Sequence, residues 1–378
     1  LRGIINGKII TKEGIVHNKL LIFGEKILQI ANEDDLGKFQ LEEILNANGN
    51  FISPGFIDLH IHGSGGRDTM DGSLESLKVI SNTIKKNGVT AFLPTTMTMS
   101  KDRIYNALTV IKESMQINLG GAKVLGAHVE GPFINEKYKG AQKPDYIIKP
   151  SFKFIEGFKD VIKIITLAPE KDENHDFIKE IKEKTDIILS IGHSDATYEE
   201  AIEAIEDGLS HSTHIFNAMT PLNHRKPGII GAIFNSDIEC ELIADKIHVH
   251  EAVFNILNKI KGKDKIILIT DCMQAGGMED GLWSLGGQEV IVKDGSARLR
   301  NNTLAGSILT LNKAVKNIYE STDLFLWEAV SMASLNPAKA LKIDDKKGSI
   351  DIGKDADLII FDKDFNVLNT IVQGKTVY

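Results

Sequence analysis

Two imidazoles stand two positions apart in GFIDLHIHG, residues 55–63: His60 and His62, on an apolar run that breaks at a glycine. A strand has a side-chain period of two, so both rings would point to one side. There they could grip one metal ion, or simply be polar residues at the mouth of a barrel. Other apolar runs end in similar chemistry: HVEGP gives His128 and Glu130, IGHS gives His193, HSTH gives His211 and His214, and LITD gives Asp271. Imidazoles and carboxylates together are the donor set of zinc and related transition metals. Each piece has an ordinary reading too: a strand-end histidine that only hydrogen-bonds, an aspartate that caps a helix, a glutamate that serves a Gly-Pro turn. Jointly, His60, His62, Glu130, His193, His214 and Asp271 fall at the ends of five different apolar runs, and that coincidence predicts a metal site. His128, His211, His17, His175 and His224 are read as structural, supporting or surface residues.

Something must bring these ends together. The middle of the chain alternates short apolar runs (GFIDLHI, GVTAFLPTT, KVLGAHVEG, IKIITLAP, DIILSIGHS, LSHSTHIFNA, ECELIAD, KIILITD) with amphipathic ones such as SLESLKVISNTIKKN and TYEEAIEAIEDG. Eight such units over roughly 290 residues have the size and rhythm of a (β/α)8 barrel, in which strand C-termini converge on one face. A doubly wound open sheet is the competitor, weakened by the lack of GxGxxG after the first strand. Residues 1–52 and 348–378 instead read as short strands, and predict one small β-sandwich domain built from both ends of the chain. That leaves 53–347 for the α/β barrel. GLWSLGGQEVIVKDGSARLRNNTLAGS interrupts its rhythm and predicts a β-hairpin insertion near 282–303, turning at KDGS.

Composition narrows the function. With 378 residues, 42% hydrophobic and 25% charged, the chain reads as a globular protein. A net charge of −8 argues against a general nucleic-acid binder, although one phosphate could still find a local basic pocket. Two cysteines, Cys240 and Cys272, give neither a disulfide framework nor a CxxC zinc motif, and suggest a reducing cytoplasm. Cys272, next to Asp271, is expected to point away from the site and pack. LRGIINGKIITKEG carries no apolar core or cleavage site of a signal peptide, and no run reaches the roughly 18 apolar residues of a membrane span.

PGFIDLHIHG, the strand-end histidines and the final aspartate resemble the amidohydrolase superfamily. HVEGPF, GHSDAT, THIFNAM and LITDCMQAGG narrow the likeness to its N-acetylglucosamine-6-phosphate deacetylase family, across essentially the whole chain. The pairing of Glu130 in EGPF with THIFNAM is the specific part, because many superfamily members use a carboxylated lysine as the bridging ligand. The resemblance implies that Glu130, His193 and His214 hold one divalent metal and leave a position open for water. It implies that Asp271 takes that water's proton and passes it to the leaving amine. Some members lack one or both first-strand histidines; this chain keeps both, so His60 and His62 are expected to complete a second position bridged by Glu130. One or two ions of Zn, Fe, Mn or Co are expected.

The substrate implied is N-acetylglucosamine 6-phosphate, cleaved to glucosamine 6-phosphate and acetate in amino-sugar catabolism or wall-sugar recycling. Its phosphate would meet the backbone N–H groups of Asn217 and Ala218 and the side chains of Arg225 and His248. Leu304, Ala305 and Gly306, in TLAGS, match a substrate-binding loop. Part of the pocket comes across a dimer interface in that family, so a homodimer is implied, with no membrane or nucleic-acid partner. One departure is Gln142 in KGAQKP, where some members carry a substrate-contacting histidine; an amide can donate a hydrogen bond but cannot become cationic. Two alternatives stay open: another amidohydrolase, such as a cyclic amidase or base deaminase, and a non-catalytic scaffold that kept the barrel.

Overall fold

The computed structural model describes residues 1–378. Eight parallel strands occupy its centre: β1 (Phe56–Ile61), β2 (Val89–Thr96), β3 (Ala127–Glu130), β4 (Ile162–Leu167), β5 (Ile188–Ile191), β6 (His211–Ser212), β7 (Glu239–Ile243) and β8 (Ile266–Ile269). They pair in that order from β1 to β8. Every residue of β1, β2 and β8 is buried, as expected of strands covered by helices outside and by barrel contents inside. The strands coincide with the apolar runs of the sequence. β6 is the exception, two residues long where LSHSTHIFNA suggested more. Left-handed backbone at His214, Phe216 and Ala218 curls the chain out of the sheet there.

The amphipathic runs are the outer helices. In Leu74–Ile84, Ser73 caps the N-terminus by accepting the Ser76 N–H, and Leu77, Ile80 and Ile84 fall on the buried face. Tyr198–Asp207 opens with a reciprocal cap between Thr197 and Glu200 and buries Ala201 and Ala204. After β3 the helix is only Phe152–Ile155, and a long loop, residues 131–151, runs over the C-terminal mouth instead.

β1 and β8 close the barrel without a regular ladder. The Asp271 N–H donates to His60 O (2.8 Å), and the His62 N–H donates to Cys272 O (2.9 Å). Beneath them the buried Asp58 carboxylate accepts the Thr270 hydroxyl (2.6 Å) and N–H (3.3 Å). The seam therefore passes through candidate site residues.

Both chain ends form a second layer structure. A four-stranded sheet from residues 2–46 faces a six-stranded sheet in which Phe51–Pro54 lies between Lys8–Thr11, a parallel neighbour, and Leu358–Phe361, an antiparallel one. Ile4, Leu21, Phe23, Ile52, Leu358 and Ile360 are among the apolar side chains packed between the sheets. The insertion has three strands rather than the two expected: Gly281–Leu285, Gln288–Lys293 and Ser296–Leu299. KDGS does turn at Asp294–Gly295, but Gly286–Gly287 also takes positive φ at both positions, which is what a second two-residue hairpin turn requires. No helix is long and apolar enough to cross a membrane.

Candidate metal centre and substrate cavity

Six side chains meet at the C-terminal mouth of the barrel, each delivered by a strand end. His60 lies on β1 and His62 just past its end, and Glu130 is the last residue of β3. His193, His214 and Asp271 lie two residues beyond β5, β6 and β8. All are at least nine-tenths buried. His193, His214 and Asp271 also have left-handed backbone, φ +49°, +26° and +48°. Such conformations cost about 1–3 kcal/mol each in a non-glycine residue and persist where surrounding structure enforces them.

Glu130 is the pivot. Its Oε1 stands 3.0 Å from His193 Nε2 and 3.0 Å from His214 Nε2, and these two nitrogens are 3.2 Å apart. Its Oε2 stands 3.2 Å from His62 Nε2, which is 3.4 Å from His60 Nε2. Asp271 Oδ1 lies 3.2 Å from His62 Nε2 and 3.4 Å from His60 Nε2. Ligands about 2.0–2.2 Å from a tetrahedral ion sit roughly 3.3–3.6 Å from one another; the edges here, between 3.0 and 3.4 Å, come close to that spacing in two adjoining groups, Glu130–His193–His214 and His60–His62–Glu130. Ring orientation agrees. His60 Nδ1 faces Glu241 (2.9 Å), His62 Nδ1 faces Thr95 O (3.2 Å) and His193 Nδ1 faces Tyr138 O (2.8 Å), which leaves Nε2 of each as the inward donor.

The electrostatics ask for cations. Burial opposes charge on His60, but Glu241, Glu130 and Asp271 overcome it and raise its pKa to about 9. His62 is also raised: burial works against it, and its hydrogen bonds to Asp271 and Glu130 prevail. Glu130 is held well below the usual carboxylate range, against burial, by His193 and His60. Asp271 is lowered too, against burial, by His60 and His62. His128 stays neutral, because burial and then the charge of His60 push it down to about 3.

Above these groups opens a cavity of about 470 Å³. His62, Glu130, His193, His214 and Asp271 form its floor, while His60 lies just beneath. Asn217, Ala218, His248, Gln142, Leu304 and Gly306 line its walls. The Ala218 N–H makes no hydrogen bond within the chain, whereas the Asn217 N–H is already given to His214 O (3.0 Å). Only the first of these two amides is therefore free for an anion. His248 is steadied by Asp245, whose carboxylate faces its Nδ1 at 2.7 Å. Ala305 is wholly buried behind the wall, its N–H bonded to Ala297 O.

Two residues stand differently from expectation. Gln142 spends one N–H on Glu130 Oε2 (2.7 Å), and its oxygen accepts the Thr98 N–H (2.7 Å). It braces the pivot carboxylate instead of reaching freely into the cavity. Arg225 does not line this cavity. It is exposed on a neighbouring cleft, its guanidinium against His224 (2.7 Å), because FNAMTPLNHRKPG loops away from the barrel mouth. Cys272 is buried and packs against Gly276, away from the cavity, with burial raising its thiol pKa.

The sequence reading missed Arg298, the one arginine that lines the cavity. It sits on the third strand of the insertion, bonded to Asn302 O (3.0 Å) and paired with no carboxylate. It also missed Glu241 on β7. The available signal was a charged residue between Cys240 and Leu242, in a strand whose alternate residues must face the barrel interior.

Comparison with known proteins agrees with this geometry. The Amidohydrolase family model matches residues 51–377. An N-acetylglucosamine-6-phosphate deacetylase of Lysinibacillus sphaericus is 43% identical over 356 residues, covering 93% of this chain and 90% of its own. The structure of an N-acetylglucosamine-6-phosphate deacetylase from Pasteurella multocida superposes with a TM-score of 0.94 at 36% identity, over 99% of both chains. A mutant of the Mycobacterium smegmatis deacetylase, in complex with N-acetyl-D-glucosamine-6-phosphate, gives 0.91 at 26% identity, covering 100% of this chain and 98% of that one.

Proposed function

The chain belongs to the amidohydrolase family, and from that premise we propose that it is a metal-dependent hydrolase that deacetylates N-acetylglucosamine 6-phosphate to glucosamine 6-phosphate and acetate. The carrying observation is the constellation around Glu130: His193, His214 and His60 near its Oε1 and His62 near its Oε2, with Asp271 beside them, at the floor of a cavity. Glu130, His193 and His214 would hold one divalent ion, and His60 and His62 with Glu130 a second; the donor set suits Zn, Fe, Mn or Co alike. When bound, such an ion supplies Lewis acidity, polarising the amide carbonyl and acidifying water toward neutral pH.

The remaining steps belong to the chain's own groups. Asp271, anionic at neutral pH, would accept a proton from the attacking water as its oxygen adds to the acetyl carbon. It would return that proton to the amine nitrogen as the C–N bond breaks, giving acetate and the free amino sugar. Gln142 would hold Glu130 in its bridging orientation. The free N–H of Ala218 and the ring of His248 would meet the phosphate, with Asn217 shaping their turn. Leu304 and Gly306 would form the opposite wall, with Ala305 packed behind them.

Arg225, exposed and outside this chain's cavity, would serve a second copy: in a homodimer, Arg225 of the partner subunit would reach the phosphate. The reading fits a cytoplasmic enzyme of amino-sugar catabolism or wall-sugar recycling. Acetate release from N-acetylglucosamine 6-phosphate, with the unphosphorylated sugar in parallel and bound metals counted, tests it. Release from the phosphate ester alone is expected. Equal turnover of both sugars, or none by fully metallated protein, would return the question to cyclic amides and deaminase substrates.

A further inference from the structure

Glu241 carries its carboxylate inside the barrel, on β7 between β6 and β8, with 0% exposure. Packing does not call for it, since Cys240 and Leu242 on either side already supply the strand's apolar face. One of its oxygens does two jobs. Oε2 accepts a hydrogen bond from His60 Nδ1 (2.9 Å) and another from the backbone N–H of His214 (3.1 Å). Those residues belong to different metal positions: His60 to the pair with His62, His214 to the pair with His193. The other oxygen, Oε1, makes no hydrogen bond; His128 Nδ1 is 3.9 Å away.

We propose that Glu241 is a positioning residue that turns the His60–His62 pair into a metal position and fixes its distance from the Glu130–His193–His214 position. The proposal rests on the two-position reading above. A carboxylate on Nδ1–H selects the tautomer with its lone pair on Nε2 and makes that nitrogen a better donor. His62 has only a backbone carbonyl, at a longer 3.2 Å, in the corresponding place. The same oxygen holds the left-handed turn at His214, so one atom ties the ring on β1 to the turn after β6. His193 is braced independently by Tyr138 O. Loss of the Glu241 charge therefore weakens the two positions unequally.

Metal-free wild type and Glu241→Gln are dialysed against graded Mn²⁺, and ions per chain are counted beside the Mn²⁺ resonance spectrum. Gln keeps the shape and one acceptor oxygen while removing the charge. Wild type is expected to take up two ions with a spin-coupled signal. Glu241→Gln is expected to fill one position within a few-fold of the wild-type concentration and the other at roughly 10–100-fold higher metal, the usual cost of losing a ligand's outer partner. The coupled signal would then be absent at limiting metal. Glu241→Asp, which keeps the charge, should restore part of the second step, and in a His60→Asn background Glu241→Gln should change little further. Unchanged uptake by Glu241→Gln, or equal weakening of both steps, overturns the proposal. A wild type that saturates at one ion instead overturns the two-position reading beneath it.

Discussion

A carboxylate facing two imidazole pairs is the feature around which the other side chains take their places. Asp271→Asn keeps shape and hydrogen bonding but loses the anion held down by His60 and His62. Its kcat should fall at least ~100-fold with metal content little changed, since proton transfer contributes about that much; retained turnover would remove Asp271 from the role. Phosphate recognition separates two arginines. Arg225→Ala should raise KM for the phosphorylated sugar about tenfold or more with less effect on kcat, a charge-assisted contact being worth ~1.5–3 kcal/mol. Mixing Arg225→Ala with a catalytically dead copy tests the proposed homodimer: restored turnover would place the residue across a subunit interface. If Arg298→Ala raises KM instead, the anion contact belongs to the insertion. The ligand candidates were legible because each ends a short apolar run. The duties of Gln142 and Glu241 were not, because they depend on how a loop folds back and on the register between β1, β6 and β7.

The barrel elements make these contacts possible by bending sharply where their strands end. Gly306 takes φ +61°, and a Cβ there would stand 3.0 Å from the Asp271 carbonyl. Gly306→Ala should therefore cost about 1 kcal/mol or more in backbone strain and lower kcat by displacing Asp271, readable by denaturation and by rate. The β1–β8 seam makes a second prediction. Asp58→Ala would leave the Thr270 hydroxyl and N–H buried without an acceptor, at a cost of about 1–3 kcal/mol. Asp58→Asn, which keeps an acceptor, should cost less; equal unfolding midpoints for the two would mean that the seam does not rely on this carboxylate. Strand and helix positions were legible from periods of two and 3.6. The second insertion turn was not recognised, although Gly286–Gly287 is an ordinary hairpin pair.

At the scale of the molecule, barrel and sandwich are joined through a small buried ion network. Lys347 meets Asp355 at 2.9 Å and also binds Asp357, beside the strand that leads into β1. Asp355 is lowered, against burial, chiefly by its hydrogen bond to Lys347. Its contribution is therefore present above its ordinary pKa of 3.8 and lost as pH falls below it. Lys347→Met would leave Asp357 without a cation and Asp355 with Lys26 alone, at 3.1 Å, costing roughly 3 kcal/mol at pH 7. The gap from wild type should narrow in acid as Asp355 protonates, and a gap that is constant with pH would assign the loss to packing. The pairing of the two chain ends was legible because both carry short strands unlike the middle. That pairing also imposes an order on synthesis. Phe51–Pro54 waits for its neighbour Leu358–Phe361, roughly 300 residues later, which at 5–20 residues per second is on the order of 15–60 s. Through that interval a nascent chain holds one sheet with an open edge, at the stage when such edges pair with other chains. Ribosome-bound truncations ending before residue 358 should be the aggregation-prone and protease-sensitive species, and longer ones should not.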